Sequence, residues 1–190
     1  MDSIYVQLCR DHSNIRQMLD AFEQLLAEMA REERDPSTLD LILEALDYIA
    51  IYPEKWHHPV EEMVFDLLLA KGNQGIEPEL IARARAEHRR LGQETRRMKE
   101  LFYAVANDCA VERDYLRGAA KEYLVAQRAH IMLEEHCIFP LMERYLGDVD
   151  WELVRDRLSE CEDAVFGPAM RGQYEAVRKY VSNLPAAAPA

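Results

Sequence analysis

The spacing His57-x-x-x-Glu61 returns as His130-x-x-x-Glu134, and each pair is followed by a second glutamate (Glu62, Glu135) and then a phenylalanine (Phe65, Phe139). On an α-helix, positions i and i+4 stand about 40° apart, so each pair offers an imidazole and a carboxylate from one face. Two isolated histidines fall at matching distances upstream: His12 precedes His57 by 45 residues and His88 precedes His130 by 42. At ~1.5 Å per residue, a position early in one helix of a short-looped antiparallel pair returns to the same level about forty residues later. His12 should therefore meet His57, and His88 should meet His130, placing four imidazoles and two carboxylates in one layer. Burying such groups without partners costs several kcal/mol per ion. Two divalent cations remove that cost by taking the imidazole lone pairs and bridging the carboxylates. Imidazole with carboxylate and no thiolate suits iron, manganese or zinc. His12, His57, Glu61, His88, His130 and Glu134 are the candidate metal ligands.

The elements that must hold these groups are helices. Ile4, Leu8, Ile15, Met18, Leu19, Phe22, Leu25, Leu26 and Met29 recur at steps of three and four, which predicts a first helix capped by Asp2 or Ser3 and ending in the charged stretch 31–35. Ser37 or Thr38 would cap a second helix running to about residue 70. Gly72 and Gly75 break it, and Pro78 suits the first turn of a third, which runs to about 106. A fourth covers roughly 111–146 and ends at Gly147. Asp150 would cap a further segment from 151 to about 166. Gly167 and Pro168 interrupt it before a last stretch to 184, and 185–190 is a loose tail. The expected fold is all-α: an antiparallel up-down-up-down four-helix bundle over 1–147. An additional C-terminal helical segment, 148–184, would pack on the bundle or on a second copy as a homodimer interface. Pro53 and Pro59 lie inside the second helix, where each deletes a hydrogen bond at about 3 kcal/mol. They predict a kink or bulge around His57 and His58, and such distortions accompany functional sites.

Composition narrows the function classes. The 190 residues carry 23 Lys+Arg against 35 Asp+Glu, a net charge of −12, with 49% apolar residues. That is too apolar for disorder and too acidic for a protein that tracks phosphates, so no nucleic-acid partner is expected. No uncharged apolar run approaches the ~20 residues that span a bilayer, and the start shows no secretory signal, so the expected setting is cytoplasmic with no membrane partner. Cys9, Cys109, Cys137 and Cys161 are scattered without a C-x-x-C pair and read as small buried hydrophobes. Trp56, Val60, Phe65, Met132, Leu133 and Phe139 read as core. Glu54 to His57 is the single E-x-x-H spacing, so the carboxylate-rich ferritin-like pattern, which needs two, is disfavoured.

With these motifs in view, the chain resembles the hemerythrin-like, or HHE cation-binding, domains. The resemblance rests on His12, the run 57–62 from His57 through Glu62, His88, and the run 130–140 from His130 through Pro140, and it covers roughly residues 5–145. It implies a four-helix bundle holding an oxo- or hydroxo-bridged pair of Fe ions, with Mn or Zn as alternatives. Glu61 and Glu134 would bridge, with His12, His57, His88 and His130 as terminal ligands. The oxygen-carrying members have a second histidine four residues after the third-helix one; here that position is Gly92, which would leave space beside one iron. His58 is a candidate replacement, because some iron-sensing relatives use a ligand directly after the motif histidine. His136, 200° from Glu134, should face away. Glu62 and Glu135 are candidate hydrogen-bond partners of the ligands. Tyr5 and Tyr123, each seven residues before a ligand histidine, are read as core residues or as donors to a metal-bound ligand. The function implied is a non-heme di-iron protein that binds or senses O2 or NO, or handles iron. A redox enzyme turning over peroxide or NO, or repairing iron centres, is the alternative at the same site, and a metal-free helical interaction module is the third.

Overall fold

The computed structural model describes residues 1–31, 35–72, 75–161 and 179–180. Among them the chain is all-helical and contains no strand. The elements are α1 (Ser3–Met29), α2 (Thr38–Tyr52), α3 (His58–Lys71), α4 (Pro78–Ala106), α5 (Arg113–Leu133), α6 (Phe139–Tyr145) and α7 (Asp148–Cys161). A π-helical turn, Pro53–His57, joins α2 to α3 without a break, and a second, Glu134–Ile138, joins α5 to α6.

Local chemistry accounts for most of the boundaries. Asp2 caps α1 by accepting from the Ile4 amide at 2.8 Å, and Glu112 caps α5 by accepting from the Asp114 and Tyr115 amides. At the start of α2 the cap differs from expectation. Ser37 makes no side-chain cap bond; its amide and hydroxyl both donate to Asp35 Oδ1. Gly72 ends α3 at φ 59°, a left-handed conformation that a side chain disfavours. α7 starts at Asp148, and Asp150 accepts from the Gly147 amide at 2.8 Å rather than capping a later start.

Each π turn ends two residues before a proline, which has no N–H to continue the helical ladder. In the first the His58 amide donates to the Pro53 carbonyl, and Pro59 follows. In the second the Phe139 amide donates to the Glu134 carbonyl, and Pro140 follows. An i→i−5 bond inserts one residue into the turn. The first distortion was expected from Pro53 and Pro59; the second, inside the fourth rod, was not.

Helix α1 packs against α2, α2 against α4, α4 against α5, and α5 against α1. The core is in two parts. One gathers Ile15, Leu19, Phe22 and Leu25 with Ile42, Leu46, Phe102 and Leu124. The other gathers Tyr5 and Leu8 with Val64, Phe65, Leu68, Ile81, Phe139, Met142, Trp151 and Val154. On α1 the first part begins at Ile15 and the second ends at Leu8, and His12 lies between them. Helix α7 rests on α3, burying Trp151 and Val154, with Arg155 donating to Asp2 at 2.7 Å and Lys71 paired with Asp150 at 2.8 Å. The segment expected beyond residue 161 and the 185–190 tail lie outside the described residues, apart from Lys179 and Tyr180; Tyr180 packs on the first part of the core.

Candidate metal centre

Between the two apolar parts the structure brings together all six residues singled out by spacing. Their exposures are 1% for His12 and His57, 5% and 4% for His88 and His130, and zero for Glu61 and Glu134. They fall into two sets that share the carboxylates. His12 Nε2 lies 3.7 Å from Glu61 Oε1 and 3.2 Å from Glu134 Oε2, and His57 Nε2 lies 3.2 Å from Glu61 Oε1. Opposite them, His88 Nε2 lies 3.4 Å from Glu61 Oε2 and 3.0 Å from Glu134 Oε1, and His130 Nε2 lies 3.4 Å from Glu134 Oε1. Each carboxylate thus turns one oxygen to each histidine set. Donors bound to one cation at ~2.1 Å stand about 3 Å apart, which is the spacing found here.

The donor atoms are otherwise unsatisfied. His12 Nε2, His57 Nε2, His130 Nε2, both Glu61 oxygens and Glu134 Oε2 are buried with no hydrogen-bond partner. Orphaned nitrogens and carboxylate oxygens at one point, enclosed by apolar packing, are costly unless cations accept their lone pairs. The residues therefore fit a pair of metal ions, with His12, His57, Glu61 and Glu134 around one point and His88 and His130 opening on the other.

A second layer fixes the rings. The Nδ1–H of each core histidine faces a carboxylate: His12 donates to Glu135 at 3.3 Å, His57 to Asp11 at 3.4 Å, His88 to Glu62 at 3.4 Å, and His130 to Glu87 at 3.1 Å. Such acids set the tautomer that leaves Nε2 free and raise its basicity. Glu62 and Glu135 were candidates for this task. Asp11 and Glu87 were missed, although each directly precedes a candidate ligand histidine in the chain. The signal was there: every acid adjacent to a ligand serves the histidine of a neighbouring helix. Behind these acids stands a third layer. Arg16 donates to Glu135 at 2.7 Å, Arg85 to Glu62 at 2.6 Å, and Arg83 to Glu87 through Glu87 Oε1 at 2.9 Å. The fully buried Asp11 is held by neutral donors instead, Tyr52 and Gln7, each at 2.7 Å. The two phenylalanines that follow the motifs also match in role: Phe139 stacks on His12 at 4.8 Å and Phe65 on His88 at 5.9 Å.

Charge in the cluster is strongly perturbed when protons stand in for cations. Burial alone lowers the affinity of His12 for a proton, but Glu134, Glu135 and Glu61 hold it well above the usual range. Burial likewise opposes a charged His57, and Glu61 and Asp11 overcome it, pushing the ring up to about 9. For His88, Glu134, Glu61 and Glu62 outweigh burial and raise it to about 11. Burial and the charge of Glu61 push Glu134 up, yet His12 and His88 bring it down to about 2. Burial also disfavours a charged Glu61, and His57, His12 and His88 keep it well below the usual carboxylate range.

His58 reaches the site by a route the helical angle explains. Successive residues stand about 100° apart, and the rod carrying them lies between α1 and α4. His57 therefore addresses His12, with ring centroids 4.8 Å apart, while His58 addresses His88, stacked at 4.0 Å. Nitrogens of His58, His88 and His130 lie within 4.8 Å of one another. The space expected at Gly92 is not open: a Cβ there would lie 2.5 Å from Glu54 Oε1. A solvent-open pocket of about 210 Å³ covers this side, walled in part by Glu54, Glu62, Arg85 and Arg89.

Other candidates are placed elsewhere. His136 is exposed, with Nδ1 2.8 Å from the Met132 carbonyl. The Tyr123 hydroxyl is bound to Thr95 at 2.9 Å and to Gln127 at 3.1 Å, and Tyr5 packs on Phe139 and Trp151, so both are core tyrosines. Val60, Phe65 and Phe139 are buried as expected, but Met132 is 58% exposed because it follows Ile131 round to the outer face. Cys109 and Cys137 are exposed free thiols, not buried hydrophobes; Cys9 is half-buried and packs on the second part of the core, and the Cys161 side chain lies outside the described residues.

Compared with known protein families, residues 3–142 match the family described as hemerythrin HHE cation binding domain. No curated protein matches the chain.

Proposed function

The chain belongs to the hemerythrin HHE cation-binding family, and from that membership and the divided carboxylates we propose a cytosolic non-heme di-iron protein that binds or senses O2 or NO, or handles iron. His12, His57, His88 and His130 are its terminal ligands, and Glu61 and Glu134 its bridges. The observation that carries this is the sharing of each carboxylate: Glu61 turns Oε1 to His12 and His57 and Oε2 to His88, and Glu134 turns Oε2 to His12 and Oε1 to His88 and His130. The closed ring of contacts α1–α2–α4–α5 supports the up-down-up-down four-helix bundle as the frame.

A pair of iron ions would supply one- or two-electron chemistry towards a diatomic ligand. The protein's part is to hold and insulate. Glu135, Asp11, Glu62 and Glu87 fix the Nδ1–H of the four rings, so every Nε2 lone pair points inward. Phe139 and Phe65, lying flat on His12 and His88, exclude water from the ring faces. Thiolates are absent from the site, which supports iron over soft-metal chemistry. No helix among the described residues is long and apolar enough to cross a membrane, and free thiols suit a reducing compartment; both support a cytosolic role.

Anaerobic reconstitution with Fe(II) should yield two irons per chain, and admission of air or NO should develop visible absorption. Because Glu134 serves both sets, Glu134→Ala should strip both ions, not one. A wild-type protein that stays colourless and iron-free under these conditions would sink the proposal.

A further inference from the structure

His58 stands outside the paired pattern of the four core histidines, and two neighbours give it meaning. Its ring stacks on His88 with an interplanar angle of 15°, and one nitrogen each of His58, His88 and His130 lie within 4.8 Å of one another. Its Nδ1 lies 3.6 Å from Glu54 Oε1, one helical turn earlier. That Glu54 carboxylate occupies the space above Gly92 on α4: a Cβ there would meet Oε1 at 2.5 Å, Cδ at 3.0 Å and Oε2 at 3.3 Å. Any side chain at position 92 would push the carboxylate away. The atom displaced is the tip of a flexible side chain, so the backbone has no need to move.

We propose that Glu54, His58 and Gly92 form a ligand set of their own. His58 coordinates, with His88 and His130, the ion on that side; Glu54 is the positioning residue that accepts the His58 Nδ1–H; and Gly92 keeps the seat of the Glu54 carboxylate clear. This rests on the metal-centre reading above.

Co(II), loaded without oxygen, is the probe: ions per chain are counted by mass spectrometry, affinities measured by chelator competition, and coordination followed by visible absorption. Wild type should hold two ions. His58→Ala should keep one tightly and bind the other 10- to 100-fold more weakly, with an altered visible band. Glu54→Ala and Gly92→Ala should each weaken that same ion about 10-fold while leaving the melting temperature of the metal-free protein unchanged. Glu54→Gln, which keeps an acceptor oxygen, should stay within about threefold of wild type. A His58→Ala protein with both affinities and the spectrum of wild type would overturn the assignment of His58. An unaffected Gly92→Ala would overturn the role of the seat. If wild type itself binds neither Co(II) nor Fe(II), the metal-centre reading falls and this inference with it; two ions held with wild-type affinity in His58→Ala remove only the latter.

Discussion

Glu61 and Glu134 are two wholly buried carboxylates that share one layer of the core. Without cations, protons on the surrounding imidazoles must balance them, which couples stability to pH. His57 and His88 have ordinary values of 6.5 that rise to about 9 and about 11 in the fold. Raised values mean stability fully present below pH 6.5 and lost as pH climbs through 9 and then 11. Glu134 falls from 4.5 to about 2, so its contribution is present above 4.5 and lost as pH drops through 2. The metal-free protein should therefore be most resistant to urea between about pH 4.5 and 6.5 and weaken on the alkaline side. Metal must displace those protons, so loading near neutral pH should release them into a weakly buffered indicator solution. A flat urea midpoint from pH 6 to 10 in the metal-free protein would contradict the charge balance described.

At the scale of the helix, the two π turns decide which face each rod shows on either side of the site. His57 closes the first turn and Glu134 opens the second. The inserted residue lets one rod keep its motif inward while its continuation still buries an apolar stripe: beyond Glu134, Ile138, Phe139 and Met142 are all buried. Deleting Cys137, an exposed residue within the second turn, should restore α-helical bonding and leave Phe139 and Met142 on the face they already show, because the deletion removes the residue that the turn absorbs. Its unfolding free energy should therefore lie nearer to that of Cys137→Ser, itself within about 0.5 kcal/mol of wild type, than to the roughly 3–5 kcal/mol loss of an unpacked stripe. A loss of that size in the deletion alone would show that the π turn does not absorb the extra residue.

Across the whole molecule, the polar layer is sealed by apolar packing at both ends, and α7 contributes to one of the seals. Trp151 is 5% exposed and joins Tyr5, Leu8 and Phe139 in the same part of the core as the residues below His12. The two ion pairs that tie α7 to Asp2 and Lys71 are exposed to solvent screening; packing dominates. Trp151→Ala should lower unfolding free energy by roughly 3–5 kcal/mol, with two metal ions per chain retained and the sedimentation mass unchanged. A halved mass would instead assign the segment to a dimer interface.

How much of this was legible without coordinates follows from the range of each signal. The clustering of the six candidate ligands could be read because i,i+4 spacing is local, and the matched distances from His12 to His57 and from His88 to His130 carry the hairpin in the sequence itself. The helical content and the first distortion, at Pro53 and Pro59, were legible for the same reason. Residues whose partners stand on another helix were not. Asp11 and Glu87 sit one position from a ligand, about 100° off its face, and only the neighbouring rod shows that this direction ends on His57 or His130. Pro140 alone did not reveal the π turn before it, since a proline there is equally compatible with a kink. Gly92 read as empty space, yet Glu54 from another rod fills it. Periodicity along one chain determines which residues share a face; which faces meet, and what fills the gaps between them, is decided by packing, because that depends on distances between segments far apart in sequence.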